Sequence, residues 1–166
     1  MKKQGFTLIE LMVVIVIMGI LAAVAVPKLF GMIAKSKASE VGPAAGTYVK
    51  LQDAYVAETG AYYGNFTKIG YEMPGKNGLT SNFQYAQEGT YDATNGTAAF
   101  TSSAVDVWSA TNLLKLNDCA GNAKNWKLGI SQASGTTNGQ YNWKVTMGTN
   151  CDALTPSFSN FDNSAN

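Results

Sequence analysis

The sequence predicts an α+β protein in which a long, kinked N-terminal α-helix packs on a small antiparallel β-sheet. Three observations predict this class. An uninterrupted apolar run from Leu11 to Val26 is followed by an amphipathic segment that reaches about Tyr62. From Gly64 onward, turn dipeptides separate short alternating segments, as is typical of antiparallel strands. Apolar residues are concentrated in the first sixty or so positions, whereas the remainder is rich in Gly, Asn, Thr, Ser and Ala.

Composition excludes several classes of function. The formal net charge of the 166 residues is +1, so charge gives no indication of nucleic-acid binding. The chain has no His and no Arg, which removes the commonest general base and the bidentate anion clamp. We therefore expect no enzyme, no cofactor and no metal site. Four aspartates of the second half are scattered rather than spaced as in a calcium-binding loop, and a calcium site built from some of them is the alternative; they are Asp92, Asp106, Asp118 and Asp152.

The N-terminal segment has two conventional interpretations. A secretory signal peptide would account for the basic start, the apolar run and the small residues before Pro27, but an acidic Glu10 at the start of the apolar region is atypical. A plain membrane anchor would account for the length of 6–26, and Lys2 and Lys3 would hold its start in the cytoplasm. The second interpretation leaves Glu10 unexplained, because a charge costs about 2.5–3.5 kcal/mol at the centre of a membrane helix and less near an end.

A third interpretation explains Glu10. The stretch Gly5-Phe6-Thr7-Leu8-Ile9-Glu10-Leu11, after a short Lys-bearing leader, resembles the processing motif of type IV pilins and of the pseudopilins of type II secretion. The resemblance implies the pilin fold. It also implies that prepilin peptidase removes residues 1–5 by cutting between Gly5 and Phe6, and that the new N-terminus of Phe6 is methylated.

Cleavage at this position would supply the positive partner that Glu10 lacks. The new amine lies on Phe6, four residues before Glu10. In assembled members of the family, the Glu of one subunit is thought to face the N-terminal amine of a neighbouring subunit. Such a pair is strengthened by low dielectric, and either partner alone is costly there. The resemblance thus implies that Phe6 and Glu10 form an assembly site.

The predicted helix runs from Phe6 to about Tyr62, or about 85 Å. We expect 6–33 to be its transmembrane or filament-core half and 34–166 to be the globular domain. Helix-disfavouring residues occur at Gly19, Pro27 and Pro43. Pro27 either ends the membrane helix or kinks a helix that continues, which we favour. The resemblance implies that the stretch between Gly19 and Pro27 loses helicity in the filament.

Beyond Pro27, apolar residues recur at three- and four-residue steps and predict a stripe that packs on the domain. They are Val41, Ala45, Tyr48, Val49, Tyr55, Val56 and Tyr62. Gly60 is a plausible C-terminal cap, and Gly64 is a second candidate. Three lysines at positions 28, 35 and 37 can reach lipid headgroups before assembly and can later pair with Glu40 or with acids on neighbouring subunits, but a solvated charged face is the role we expect for most of them.

The second half predicts about four strands. The best candidates are the segments 83–86, 98–102, 126–130 and 141–147, of which the last two form a hairpin around a loop that includes Asn138-Gly139. Residues 113–116 predict a short helix. If the region is exported, Cys119 and Cys151 form one disulfide that brackets this hairpin; in a cytosolic protein they would be free thiols. Residues 156–166 predict a loose tail or a strap on the sheet.

The lead hypothesis is a structural subunit of an extracellular filament, made at the inner membrane and polymerised through its helix. Its expected partners are further copies of the chain, prepilin peptidase, the membrane and an assembly machinery. The alternative is a pseudopilin of a type II secretion system. A third hypothesis is a membrane-tethered carbohydrate-binding module that stacks sugars on its tryptophans, although these residues are better explained as core; they are Trp108, Trp126 and Trp143.

Overall fold

A computed structural model describes residues 5–135 and 139–164, so leader residues 1–4 and Asn138 of the predicted turn lie outside the described residues. The predicted α+β class is confirmed: a long bent helix packs on small antiparallel sheets. The helices are α1 (Leu8–Ala38), α2 (Val41–Thr59) and α3 (Phe66–Ile69), followed at the end of the chain by two 3₁₀ helices, Asp152–Leu154 and Pro156–Phe161. The strands are β1 (Tyr62–Gly64), β2 (Phe83–Gln87), β3 (Thr97–Ala99), β4 (Val105–Asn112), β5 (Ala123–Gln132) and β6 (Tyr141–Met147).

The long helix is interrupted once, at Ser39 and Glu40, between α1 and α2. Pro43 lies in the first turn of α2 and has no N–H to donate to the Ser39 carbonyl, which gives the interruption a physical cause. By contrast, α1 continues without a break through Gly19 and Pro27. The helix ends at Thr59, slightly before the predicted end at about Tyr62, because Gly60, one of the two predicted caps, caps α2 in the left-handed conformation, with φ 78°.

The main sheet is antiparallel, with strand order β2-β4-β5-β6. The predicted hairpin is confirmed, since β5 pairs with β6 from Trp126–Met147 to Gln132–Tyr141. β4, which pairs with both β2 and β5, was not among the predicted strands. Its register shifts twice and four consecutive residues are buried, so the alternation that indicates a strand is lost.

Two other segments differ from their predictions. A strand was predicted at 98–102. The observed strand, β3, has only three residues, Thr97–Ala99, and it pairs with β1 in a separate two-stranded sheet. The prediction of a helix at 113–116 is wrong. Leu116 instead pairs with Cys119 across a tight turn at Asn117, which has a positive φ of 55°, and the Asn112 side chain donates to the Leu114 carbonyl.

The domain core forms between α2 and the sheet. The predicted stripe is buried at 41, 45, 48, 49 and 56, but Tyr62 lies on β1 and is 48% exposed. The sequence analysis missed Gln52, which is fully buried. Its amide pairs with both backbone groups of Gly64, with the oxygen 2.8 Å from the N–H and the nitrogen 3.0 Å from the carbonyl. On the other flank, Asp53 accepts from the Tyr141 hydroxyl and from the Trp143 indole N–H at 3.0 Å.

Both outer strands of the main sheet have hydrogen-bonding partners beyond the sheet. Along β6, the Asp162 carboxylate accepts from the Val145 N–H at 2.9 Å, and the Asn163 side-chain oxygen accepts from the Trp143 N–H at 2.6 Å. Along β2, the Tyr85 N–H donates to the Gly78 carbonyl at 2.7 Å. The C-terminal segment is therefore a strap on the sheet. Covered edges disfavour strand-to-strand association between copies.

Candidate assembly site

Glu10 already has partners within its own chain. Thr7 is the N-terminal cap of α1, and its backbone N–H and hydroxyl both donate to the Glu10 carboxylate, at 2.9 and 2.7 Å. The Glu10 N–H donates back to the Thr7 hydroxyl oxygen at 3.3 Å. This is a capping box, which places a carboxylate at the positive end of the helix dipole. Glu10 is therefore held at the first turn of α1 by local hydrogen bonds.

Thr7 is a functional candidate that the sequence analysis missed. A Thr followed three residues later by a Glu, before an apolar run, is the sequence signature of a capping box and could have identified it. Both side chains are solvent-exposed, and so is Phe6, with 84% of its surface accessible. A carboxylate on an exposed helix end can accept from a further donor on another molecule. The capping box thus orients Glu10 without occupying all of its acceptor positions.

The first half of α1 has no partner in the single chain. Every residue from 5 to 33 is exposed except the half-buried Gly31, and burial begins at Ala34. Among the described residues, this is the one helix that is long and apolar enough to cross a membrane by length and composition. A continuous apolar surface of this size indicates contact with lipid or with other protein.

The predicted site residues are distributed along the helix rather than gathered in a pocket. Phe6 and Glu10 lie about one turn apart at its start. Gly19 and Pro27 lie within the exposed half of α1, where a side chain added at Gly19 would meet nothing within 4 Å. Pro43 lies beyond the interruption, in the part of the helix that packs on the domain.

Glu40 connects the helix interruption to the sheet. Its carboxylate accepts from the Thr80 hydroxyl at 2.6 Å and from the Tyr85 hydroxyl at 3.2 Å. Burial raises the pKa of Tyr85, and the neighbouring Glu40 carboxylate raises it further, so Tyr85 stays a neutral donor. The pairing of Glu40 with a nearby lysine, which the sequence suggested, does not occur. Among the described residues, the salt bridges join Lys124 to Glu88 and Lys127 to Asp106.

The predicted disulfide between Cys119 and Cys151 is present, and both residues are fully buried. The cysteines lie 32 positions apart in the sequence and bracket β5 and β6. Each follows closely on an asparagine with a positive φ, Asn117 at 55° and Asn150 at 60°. The disulfide therefore holds two tight turns side by side, next to the 3₁₀ helix Asp152–Leu154 that contacts α1.

The tryptophans lie in the core and offer no sugar-binding surface. Trp108 and Trp126 are fully buried, and Trp143 is 4% exposed. Their indole N–H groups donate to internal partners, including the Tyr71 hydroxyl for Trp108 and the Thr155 hydroxyl for Trp126. Within the described ranges, no three His, Cys, Asp or Glu side chains are grouped as a metal site would require.

Comparison with known proteins gives one family match and several curated relatives. The family described as the prokaryotic N-terminal methylation motif matches residues 1–26. The chain is 39% identical over 70 residues to the type IV major pilin protein PilA of Myxococcus xanthus. The matched stretch covers 42% of this chain and 32% of that protein. It is 40% identical over 96 residues to a type IV major fimbrial protein FimA of Dichelobacter nodosus, covering 55% and 56% of the two chains.

A third relative is the fimbrial protein EcpC of Eikenella corrodens, 43% identical over 60 residues, or 36% of this chain and 39% of that protein. The chain thus spans between a third and just over half the length of these relatives. No solved structure matches the chain significantly. The family model covers residues 1–26, and these relatives are matched over 60 to 96 residues of the chain.

Proposed function

We propose that this chain, which belongs to the type IV pilin superfamily, is a structural subunit of a type IV pilus-like extracellular filament. The observation that carries the proposal is a capped helix whose apolar first half is exposed and carries a methylation motif, attached to a domain whose main sheet has partners along both outer strands. Such a subunit can bury its helix only against other helices or lipid. The curated relatives named above are a major pilin and fimbrial proteins, so a type II secretion pseudopilin is not favoured.

Processing would precede assembly. Prepilin peptidase would cut between Gly5 and Phe6, remove residues 1–5 and methylate the Phe6 amine. Both residues are exposed and precede the first turn of α1, where an enzyme can reach the peptide bond. Until then the precursor would be held in the inner membrane by residues 6–33, with the domain, 34–166, outside.

Assembly would then place the Phe6 amine of one subunit near the Glu10 carboxylate of another. The capping box holds that carboxylate at a fixed position on the helix end, which reduces the entropy lost when the pair forms. Burial of the apolar surface from 8 to 33 would supply most of the attraction, and the ion pair would define the register. Gly19 and Pro27 weaken the intervening helix, which lets it adapt to its neighbours.

The test compares Glu10→Ala with Glu58→Ala, in which an exposed glutamate near the end of α2 is lost instead. We expect Glu10→Ala to be cleaved largely as the parent is but to form at least tenfold fewer surface filaments, because the buried amine loses its counter-charge. Sheared filaments counted by electron microscopy measure assembly, and mass spectrometry of the mature N-terminus measures cleavage. Parent-like filament numbers from Glu10→Ala, or a mature chain that starts near Val26, would contradict the proposal.

A further inference from the structure

A groove lies where α1 leaves the domain. One wall is a stripe of α1 that includes Lys28, Met32 and Lys35, at positions i, i+4 and i+7 of one helix face. The other wall is formed by the two turns that the disulfide joins, and it contributes Asp118 and Asp152. The groove has a volume of about 680 Å³, within the range of about 300–1,000 Å³ that is usual for small-ligand sites.

The charges of this groove are arranged in two unpaired sets. Lys28 and Lys35 are exposed on the helix wall, and Asp118 and Asp152 are exposed on the turn wall. None of the four takes part in the salt bridges found among the described residues. An open slot with cations along one wall and carboxylates along the other matches a ligand that itself carries an anion and a cation a short distance apart.

The position of the groove along the helix indicates where that ligand comes from. Lys28 lies 22 residues after Phe6, about 33 Å along the helix, and the hydrocarbon core of a bilayer is about 30 Å thick. Lys28 is therefore at the level of the lipid headgroups when residues 6–26 span the membrane. Lys35 lies about 10 Å further along. The headgroup layer is about 5–8 Å thick on each side, so the groove opens onto it from the domain side.

We propose that, in the membrane-anchored precursor, this groove binds the headgroup of a zwitterionic aminophospholipid, of the phosphoethanolamine type. The phosphate lies on Lys28 and Lys35, and the primary ammonium donates to Asp118 and Asp152. A choline headgroup has no N–H to donate, and a glycerol headgroup has no cation for the aspartates. This inference rests on the membrane stage of the proposed function and adds a ligand to it.

The disulfide gives the site its rigidity. Asp118 lies one residue before Cys119, and Asp152 one residue after Cys151, so the bond between the two cysteines sets the separation of the carboxylates. Backbone hydrogen bonds further hold the turns, between Leu116 and Cys119 in both directions at 3.0 Å. A pre-organised wall costs less entropy on binding than two independent loops would.

The experiment reconstitutes the full-length chain, at one or at two copies per disc, in phosphatidylcholine nanodiscs that contain an equal fraction of phosphatidylethanolamine or of phosphatidylglycerol, or neither. Hydrogen exchange is followed at the backbone amides of the two turns, 116–119 and 151–154. With phosphatidylethanolamine at about ten times its dissociation constant, we expect exchange to slow about tenfold relative to phosphatidylcholine alone. Phosphatidylglycerol should give little of this protection.

Two double variants and one matched control test the chemistry. One double variant combines Lys28→Gln with Lys35→Gln, and the other combines Asp118→Asn with Asp152→Asn. Each should remove most of the protection by phosphatidylethanolamine. Lys50→Gln with Glu58→Gln changes one lysine and one acid on the exposed face of α2 and should keep it. All of these side chains are exposed, so the fold is retained in each variant, and an intact disulfide by mass spectrometry verifies it.

Three outcomes would overturn the proposal. The first is equal exchange in phosphatidylethanolamine and phosphatidylcholine. The second is that phosphatidylglycerol protects the turns as strongly as phosphatidylethanolamine does, and still does so in the aspartate double variant. This would mean that the lysines alone attract anionic lipid. The third is protection that depends on the number of chains per disc, which would indicate that a second copy fills the groove. None of these involves filament counts, so failure here is distinguishable from failure of the Glu10→Ala test.

Discussion

At the scale of single residues, the Glu10 carboxylate in the first turn of α1 has two kinds of partner. Glu10 accepts from the Thr7 backbone and hydroxyl within its own chain, and in the proposed filament it also faces a Phe6 amine from a neighbour. The first interaction requires an oxygen acceptor, whereas the second requires a negative charge. This difference allows the two to be separated by substitution.

Glu10→Gln and Thr7→Ala should therefore reduce assembly to different extents. Gln retains an acceptor oxygen for the capping box but has no charge, so we expect filament numbers to fall nearly as far as in Glu10→Ala. Thr7→Ala loses the cap, at a cost of about 1 kcal/mol to the helix, but keeps the charge, so most filaments should remain. Filament counts on equal amounts of cleaved subunit measure both. The reverse order of effects would mean that helix capping, and not the ion pair, is what assembly needs.

At the scale of elements, the disulfide constrains the end of the domain that lies beside α1. It closes the segment that contains β5 and β6 and joins the turns at Asn117 and Asn150. The strap formed by the second 3₁₀ helix follows directly, with Phe158 fully buried and Asp162 bonded to β6. The β5–β6 hairpin, the disulfide that brackets it and the C-terminal strap thus form one continuous unit.

Replacing both cysteines by serine should lower the free energy of unfolding by about 3–4 kcal/mol, because the unfolded chain regains the freedom of a loop of about 32 residues. Guanidinium unfolding of the full chain in detergent, followed by the fluorescence of the buried tryptophans, measures the loss. Wild-type chain treated with reductant serves as the control and should lose stability to the same extent. A change below about 1 kcal/mol would show that the strap and sheet hold the turns without the disulfide.

At the scale of the whole molecule, aromatic residues join the two halves of the fold. Tyr48 on α2 has ring contacts to Tyr71 and to Trp143, with centroids 5.3 and 5.9 Å apart. Burial raises the pKa of Tyr48, and it likewise raises the pKa of Tyr91, to which the neighbouring Tyr63 contributes. The core between helix and sheet therefore depends on phenols that remain protonated.

This predicts a loss of stability at alkaline pH. A phenol whose pKa is raised on folding binds its proton more tightly in the folded state, so its contribution is fully present below the ordinary value of 10.0 and declines as pH rises above it. Unfolding midpoints measured by circular dichroism between pH 8 and about 11.5 should fall steeply above about pH 10.

Tyr91→Phe keeps the ring beside Tyr63, which lies 5.7 Å away between centroids, but removes the hydroxyl that titrates. The fall in midpoint should accordingly be shallower in Tyr91→Phe than in the parent. Tyr62→Phe, which changes a half-exposed tyrosine on β1, is the matched control and should follow the parent curve. Identical slopes in all three proteins would contradict the assignment.

Local patterns determined the long helix, its apolar first half, the Gly60 cap, the β5–β6 hairpin and the motif at Gly5, Phe6 and Glu10. Each depends on neighbours within a few residues, on periodicity or on chain length, and these can be read directly from the sequence. The Thr7 capping box is equally local and could have been predicted by the same means. The interpretation of the three tryptophans as core residues was also correct, because large apolar side chains are most stable when buried.

Tertiary structure alone decided the features that depend on residues distant in sequence. β4 became the central strand because β2 and β5 flank it, although its own pattern is disrupted by bulges and by burial on both faces. Residues 113–116 did not become a helix because Leu116 pairs with Cys119, which is bonded to Cys151, and the Asn112 side chain donates to the Leu114 carbonyl. The groove between Lys28, Lys35, Asp118 and Asp152 likewise exists only in the folded chain, since its walls lie more than eighty residues apart and no local signal couples them.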